Sequence, residues 1–221
     1  MFGAVTLGAT PRVVGTITSA AAFMSLAHFP CDIAEVRLDK IGARAGWLAR
    51  CQQIEAGGVP VLLTMRCKHE GGDCAEDEGR WPIYEEALAL AGVDIELRSH
   101  IAPEVAALAQ KRGRACVLSY HDFHATPSME KLESVAAEAE ELGGITKIAT
   151  MIKAPVDVEI LRALLKKPRR QPLCVIGMGP AWTHLRVSLA QEGSCLTYGF
   201  LDSSAAPGQL AASELQAKLR G

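Results

Sequence analysis

No apolar run in this 221-residue chain approaches the roughly 20 residues of a membrane span. The start, Met1 to Gly8, has neither the basic opening nor the long apolar stretch of a secretory signal. Together these absences set the expectation of a cytoplasmic protein. The chain also lacks charge of one sign, and a net charge of −2 offers no broad basic field to nucleic acid or to an anionic membrane. Any acidic ligand would therefore rely on a few placed arginines. Seven cysteines occur without a Cys-x-x-Cys pair, and the nearest two, Cys67 and Cys74, flank a glycine-rich loop without the partners of a zinc site. Reduced, partly buried thiols are expected. Gly177-Met-Gly179 lacks the third glycine and helix spacing of a dinucleotide fingerprint. The acidic stretch Asp73, Glu76, Asp77 and Glu78 has no ordered metal-ligand spacing, and Lys166 to Arg170 reads as a solvated helix end.

What is present alternates. Short runs rich in Val, Ile and Leu are expected as strands at 12–18, 33–39, 60–66, 94–98, 115–120, 145–151, 173–178 and 195–200. Between and after them lie helical patterns at 19–28, 44–57, 81–91, 103–112, 127–142, 155–166, 181–191 and 209–219. Thr126-Pro127 and Ala154-Pro155 are start signals, and Gly143-Gly144 is a stop. Several strands are apolar on consecutive residues, as expected when both faces of a parallel sheet are covered. Eight β/α units in about 220 residues fit a single (β/α)8 TIM barrel, one α/β domain over residues 1–221, with an open doubly wound sheet as the alternative.

A barrel places its reactive groups at the C-terminal ends of its strands. Thr16, Glu35, Arg37, Arg66, His121 and Lys147 fall there, with Glu70 in the loop after strand three and Met178 at the end of strand seven. Of nine lysines, only Lys147 lies inside a strand with apolar neighbours throughout, where poor solvation would favour the neutral amine. Such an amine condenses with ketones, and the iminium formed withdraws electrons from the adjacent carbon. A histidine such as His121 shuttles the protons, and Glu70 would orient it. The alternative for Lys147 is a strand-end lysine with its head in solvent or paired with a carboxylate. The alternative for Glu35, Arg37 and Arg66 is a buried ion-pair network tying strands two and three. The chemistry requires no metal or organic cofactor.

Five segments give this reading a family. They are Glu35 to Asp39, Thr64 to Gly72, Ser119 to Phe123, Lys147 to Met151 and Ala206 to Gln209. In order and spacing they resemble type I 3-dehydroquinate dehydratase, and the resemblance runs from Pro11 to the last helix. It implies a (β/α)8 barrel, usually a homodimer, that dehydrates 3-dehydroquinate to 3-dehydroshikimate in the shikimate pathway by syn elimination through a lysine Schiff base. It further implies Lys147 as the Schiff-base lysine, His121 as general acid/base and Glu70 as the carboxylate beside it. Arg186 would bind the substrate carboxylate. Thr16, Glu35, Arg37, Arg66 and Gln209 would hold the ring's polar groups, and Phe123 and Met178 would line the pocket. Ala205 stands where the family has a serine, which leaves Ser204 as a substitute after a small loop shift. Tyr198 stands where the family usually has phenylalanine. A class I aldolase and a non-catalytic domain sensing a quinate-like metabolite are the competing readings. Residues 67–80 are expected to form a lid hinged at Gly71, Gly72 and Gly79.

Overall fold

Burial on both faces of the strands decides the architecture, seen in a computed structural model describing residues 2–8, 10–74, 79–204 and 208–221. Eight parallel strands form one sheet in the order β7-β6-β5-β4-β3-β2-β1-β8. They are β1 (Arg12–Ile17), β2 (Ile33–Arg37), β3 (Val61–Thr64), β4 (Gly92–Glu96), β5 (Ala115–Asp122), β6 (Ile145–Met151), β7 (Leu173–Met178) and β8 (Leu196–Phe200). The sheet closes where β7 meets β8. There Cys195 N donates to Leu173 O (2.9 Å), and Val175 N donates to Ser194 Oγ (2.8 Å). A (β/α)8 barrel results, as the β/α count predicted.

Helices cover the outside: α1 (Ala20–Ser25), α2 (Leu38–Ile41), α3 (Trp47–Ala56), α4 (Arg80–Ala87), α5 (Ala102–Lys111), α6 (Met129–Glu141), α7 (Pro155–Leu165), α8 (Leu185–Gln191) and α9 (Ala212–Arg220). Val13, Val36, Leu63, Val93, Ile95, Leu118, Ile148 and Val175 point outward into the layer between strands and helices. Their alternates point inward, because side chains on a strand repeat every second residue. At the N-terminal end of the barrel these inward residues are apolar: Val14, Ile33, Leu62, Val117, Ile145, Cys174 and Leu196. Fully buried Phe2, carried by an isolated bridge between Phe2 and Val5, packs with them and closes that end. One step further along β1 to β6 the inward residue turns polar (Thr16, Glu35, Thr64, Asp94, Ser119 and Lys147), while β7 and β8 carry Ile176 and Tyr198, and that change of layer creates the site.

Several boundaries differ from expectation for identifiable reasons. β2 ends at Arg37 rather than Asp39, because the chain turns at once into α2, where Asp39 binds the Arg37 guanidinium. α6 begins at Met129 rather than 127: Ser128 caps it, accepting from Lys131 N, while Thr126 Oγ1 donates to Met151 O. The pattern at 181–191 divides into a 3-10 turn, Pro180–Trp182, and α8. β4 is the most consequential, running from Gly92 to Glu96 instead of 94–98. A side chain at Gly92 would stand 2.6 Å from Phe2 Cζ and 2.8 Å from Ala115 O, so the glycine permits the strand rather than breaking it.

Candidate active site

Lys147 occupies the middle of β6 and is buried. Its surroundings differ from the wholly apolar setting expected from its neighbours in sequence. Nζ lies 3.0 Å from Asp94 Oδ2 on β4, two strands away, and 3.9 Å from the centroid of the Tyr198 ring on β8. Lysine in the pocket and lysine paired with a carboxylate were alternatives in the sequence; in the fold they coexist. Asp94 also accepts from Arg66 Nη2 (2.6 Å) and Ser119 Oγ (2.7 Å). Burial alone would raise the Asp94 carboxyl, but Arg66 and then Lys147 outweigh it and hold the group below the usual carboxylate range.

Arg66 is the hub of the buried polar layer. Besides Asp94 it contacts Ser119, Glu96 (3.4 Å) and Glu70 (3.9 Å). Burial opposes its charge, yet the surrounding carboxylates raise its pKa well above the ordinary arginine value. Arg66 thus sits both in the pocket and in a buried ion-pair network, but that network joins it to Asp94, Glu96 and Glu70 rather than to Glu35 and Arg37 across strands two and three. Glu35 is held differently, accepting from Thr16 Oγ1 and Thr64 Oγ1 at 2.8 Å each. Arg37 is gripped by Asp39 at 2.9 and 2.7 Å.

Glu70 ends a short 3-10 turn, Lys68–Glu70, in the loop after β3. Its Oε2 is 2.8 Å from His121 Nδ1. Burial pushes the Glu70 carboxyl up to about 8 against the pull of Arg66. Burial, Arg66 and Lys147 together press the His121 imidazole well below 6.5. Phe123 stacks beside the His121 ring, with centroids 6.0 Å apart and planes 11° from parallel. Gly71, at φ +80°, makes room for it, since a side chain there would lie 2.7 Å from Phe123 Cζ.

Arg186 enters from α8. Its guanidinium donates to backbone carbonyls, Nε to Gly208 O (3.0 Å) and Nη1 to Tyr198 O (3.2 Å), and has no carboxylate partner among the described residues. Burial lowers it to about 10. A buried cation with neutral partners is suited to the carboxylate of a ligand.

One cavity, with about 690 Å³ of space partly open to solvent, collects these groups at the C-terminal mouth. Thr16, Glu35, Arg37, Arg66, Glu70, His121, Lys147, Arg186 and Gln209 line it, as do Phe123 and Met178. Gly71, Ala149, Ile176 and Tyr198 complete the wall. Of the site residues expected from sequence, Ser204 is the one not among its lining; it is exposed. The family-position serine question falls on Ala205, which lies outside the described residues, as do Ala206, Pro207 and residues 75–78 of the acidic stretch. Asp94, Ser119 and Thr64 escaped the sequence reading. Gly92 was the missed signal, because a strand begun there ends with Asp94 and Glu96 at the polar level.

The fold and mouth together define a barrel enzyme with its reactive groups gathered at the strand ends. Comparison with known proteins narrows that class. Residues 9–220 match the family described as type I 3-dehydroquinase, and the chain belongs to that family. It is 33% identical over 212 residues to the 3-dehydroquinate dehydratase of Methanocella arvoryzae, covering 95% of this chain and 96% of that protein. Against the 3-dehydroquinate dehydratase of Methanosarcina acetivorans it is 36% identical over 203 residues, covering 84% and 83%. The solved structure of 3-dehydroquinate dehydratase from Enterococcus faecalis superposes with a TM-score of 0.81 at 28% identity, covering 98% of this chain and 96% of that one.

Proposed function

We infer that this chain is a 3-dehydroquinate dehydratase acting through a Schiff base on Lys147. As a hydro-lyase it converts 3-dehydroquinate to 3-dehydroshikimate and water, a step of the shikimate pathway. The observation that carries the residue assignment is a convergence: buried Lys147, the Glu70–His121 pair and the carboxylate-free Arg186 face one cavity. Family membership decides against the aldolase reading.

The Glu70–His121 pair works as acid and base in turn. With a proton on the Oε2···Nδ1 line, Nε2 carries hydrogen and is a donor. Once Nε2 gives up that hydrogen, Nδ1–H donates to the Glu70 carboxylate and Nε2 is a base. A carboxyl pushed up to about 8 keeps these two forms close in energy near neutral pH. His121 takes a proton from the Lys147 ammonium, and the freed lone pair adds to the ketone carbon of the substrate. The oxygen takes one proton from the nitrogen of the adduct and the one His121 returns, and departs as water, leaving an iminium. His121 next removes a proton from the adjacent carbon, whose bonding electrons move toward nitrogen to give an enamine. The enamine expels the hydroxyl one carbon further on, again as water with the proton from His121. Water then hydrolyses the conjugated iminium to the enone product and frees Lys147.

Arg186 holds the substrate carboxylate. Thr16, Glu35, Arg37, Arg66 and Gln209 address the ring's polar groups, with Ser204 reaching them only after a loop shift, and Phe123 and Met178 pack against the carbon face. Residues 1–221 act as one catalytic domain, in the cytoplasm, as a homodimer. The test is the appearance of enone absorbance on adding 3-dehydroquinate. The unsubstituted protein should show turnover, and Lys147→Ala and His121→Ala should each abolish it. Turnover retained in Lys147→Ala would overturn the assignment.

A further inference from the structure

Lys147 is gripped from two sides, and neither grip belongs to the proton-transfer pair. Asp94 Oδ2 stands 3.0 Å from Nζ, and the face of the Tyr198 ring lies 3.9 Å from it. Both partners are buried and fixed in place. Asp94 is fully buried and tied to Arg66 at 2.6 Å and to Ser119 at 2.7 Å, while Tyr198 is 5% exposed. Among the described residues the Tyr198 hydroxyl has no hydrogen-bond partner, so its ring, not its hydroxyl, contributes here.

Charge conservation gives this arrangement a meaning. An ammonium plus a ketone becomes an iminium plus water, so the positive charge that leaves nitrogen with a proton returns when the C=N bond forms. The resting lysine and both iminium adducts therefore carry one positive charge on the same atom, whereas the enamine between them is neutral.

Building on the Schiff-base reading, we propose that Asp94 and the face of Tyr198 form a fixed counter-charge for the iminium on Lys147. The pair holds the ammonium in the pocket before reaction and stabilises the cation that replaces it, without reorganising when the adduct forms. It favours both iminium states over the enamine, so it draws the enamine onward to expel water. Its cost falls on the first step, because the nitrogen loses its charge beside the Asp94 carboxylate when it becomes the nucleophile. His121 offsets that cost as the neighbouring base.

The charged and titratable groups facing Nζ are Asp94 on β4, Arg66 from the end of β3, Glu70 from the following loop, His121 on β5, Cys174 on β7 and Tyr198 on β8. Asp94 and Glu70 are the carboxyl groups of this set, and Glu70 faces His121 directly. Removing the Asp94 charge leaves the His121–Glu70 contact in place.

The experiment is borohydride trapping with 3-dehydroquinate across pH, read by intact mass, on the full chain and on Asp94→Asn, Tyr198→Leu and Tyr198→Phe. Asp94→Asn should lower the trapped steady-state adduct about tenfold or more. It should also move the rising limb of adduct formation, because the carboxylate 3.0 Å from the reacting nitrogen has lost its charge. A purely structural defect would scale the profile down at every pH without moving it. Tyr198→Leu should lower the adduct, and Tyr198→Phe, which restores the ring, should recover it toward the original level. If Asp94→Asn does not fold, the leucine and phenylalanine variants decide. An unmoved limb with unchanged adduct in Asp94→Asn, or equal adduct in the two Tyr198 variants, overturns the proposal. Failure to trap the unsubstituted protein would instead refute the Schiff-base reading itself.

Discussion

The Glu70–His121 pair should make the stability of this protein fall as pH rises from about 6.5 to 8. In the unfolded chain the two groups titrate independently, near 4.5 and 6.5. In the folded protein the carboxyl is raised to about 8 and the imidazole is pressed well below 6.5. Just below 6.5 the pair binds one proton in either state, on histidine when unfolded and on the carboxyl when folded. Its contribution to stability is then independent of pH. Above 6.5 the unfolded pair has lost that proton, but the folded pair keeps it until about 8. The folded state binds more protons, so stability declines at about 1.4 kcal/mol per pH unit, or about 2 kcal/mol over the interval. Toward acid, folding opposes the charging of an imidazole pressed well below 6.5, so the unfolded pair binds more protons and stability declines again. The count does not depend on which partner of the folded pair holds the shared proton. Glu70→Gln removes the group responsible for the alkaline decline. Urea denaturation at pH 6 and pH 8.5 should show a loss in the original protein larger by about 2 kcal/mol than in Glu70→Gln. Equal losses in the two proteins would refute the reasoning.

Other consequences are simpler. Arg186→Gln should lower kcat/KM for 3-dehydroquinate by about ten- to a hundredfold, the range of one charged hydrogen-bonded contact; a substrate analogue lacking the carboxylate should bind both proteins alike. Phe2→Ala should cost about 3–5 kcal/mol of stability in urea denaturation, because the ring is wholly buried in the closed end of the barrel. Gly71→Ala should cost about 1–3 kcal/mol by the same measure through its positive φ, and should also lower kcat by displacing Phe123 from beside His121.

Much of the fold was legible because burial on two faces leaves a strong mark. β6 and β7 fall at the expected residues, since their continuous apolar runs are bounded by unambiguous breaks. Strand ends were less legible where a side chain acts as a cap or an ion pair, as Asp39 and Ser128 do. The site followed the same division. Lys147, His121, Glu70 and Arg186 could be placed from local pattern together with the resemblance. Asp94 could not, because it meets Lys147 from 53 residues away, and that meeting depends on β4 starting at a glycine. Local sequence presented Lys147 as surrounded by apolar residues, whereas closure of the barrel supplies its carboxylate.

The central claim is a covalent bond at one nitrogen. Borohydride reduction in the presence of 3-dehydroquinate, followed by intact mass and peptide mapping, tests it most directly. The account predicts a single reduced adduct on Lys147, absent without substrate and absent in Lys147→Ala. Turnover with no trapped adduct, or an adduct mapping to another lysine, would contradict it.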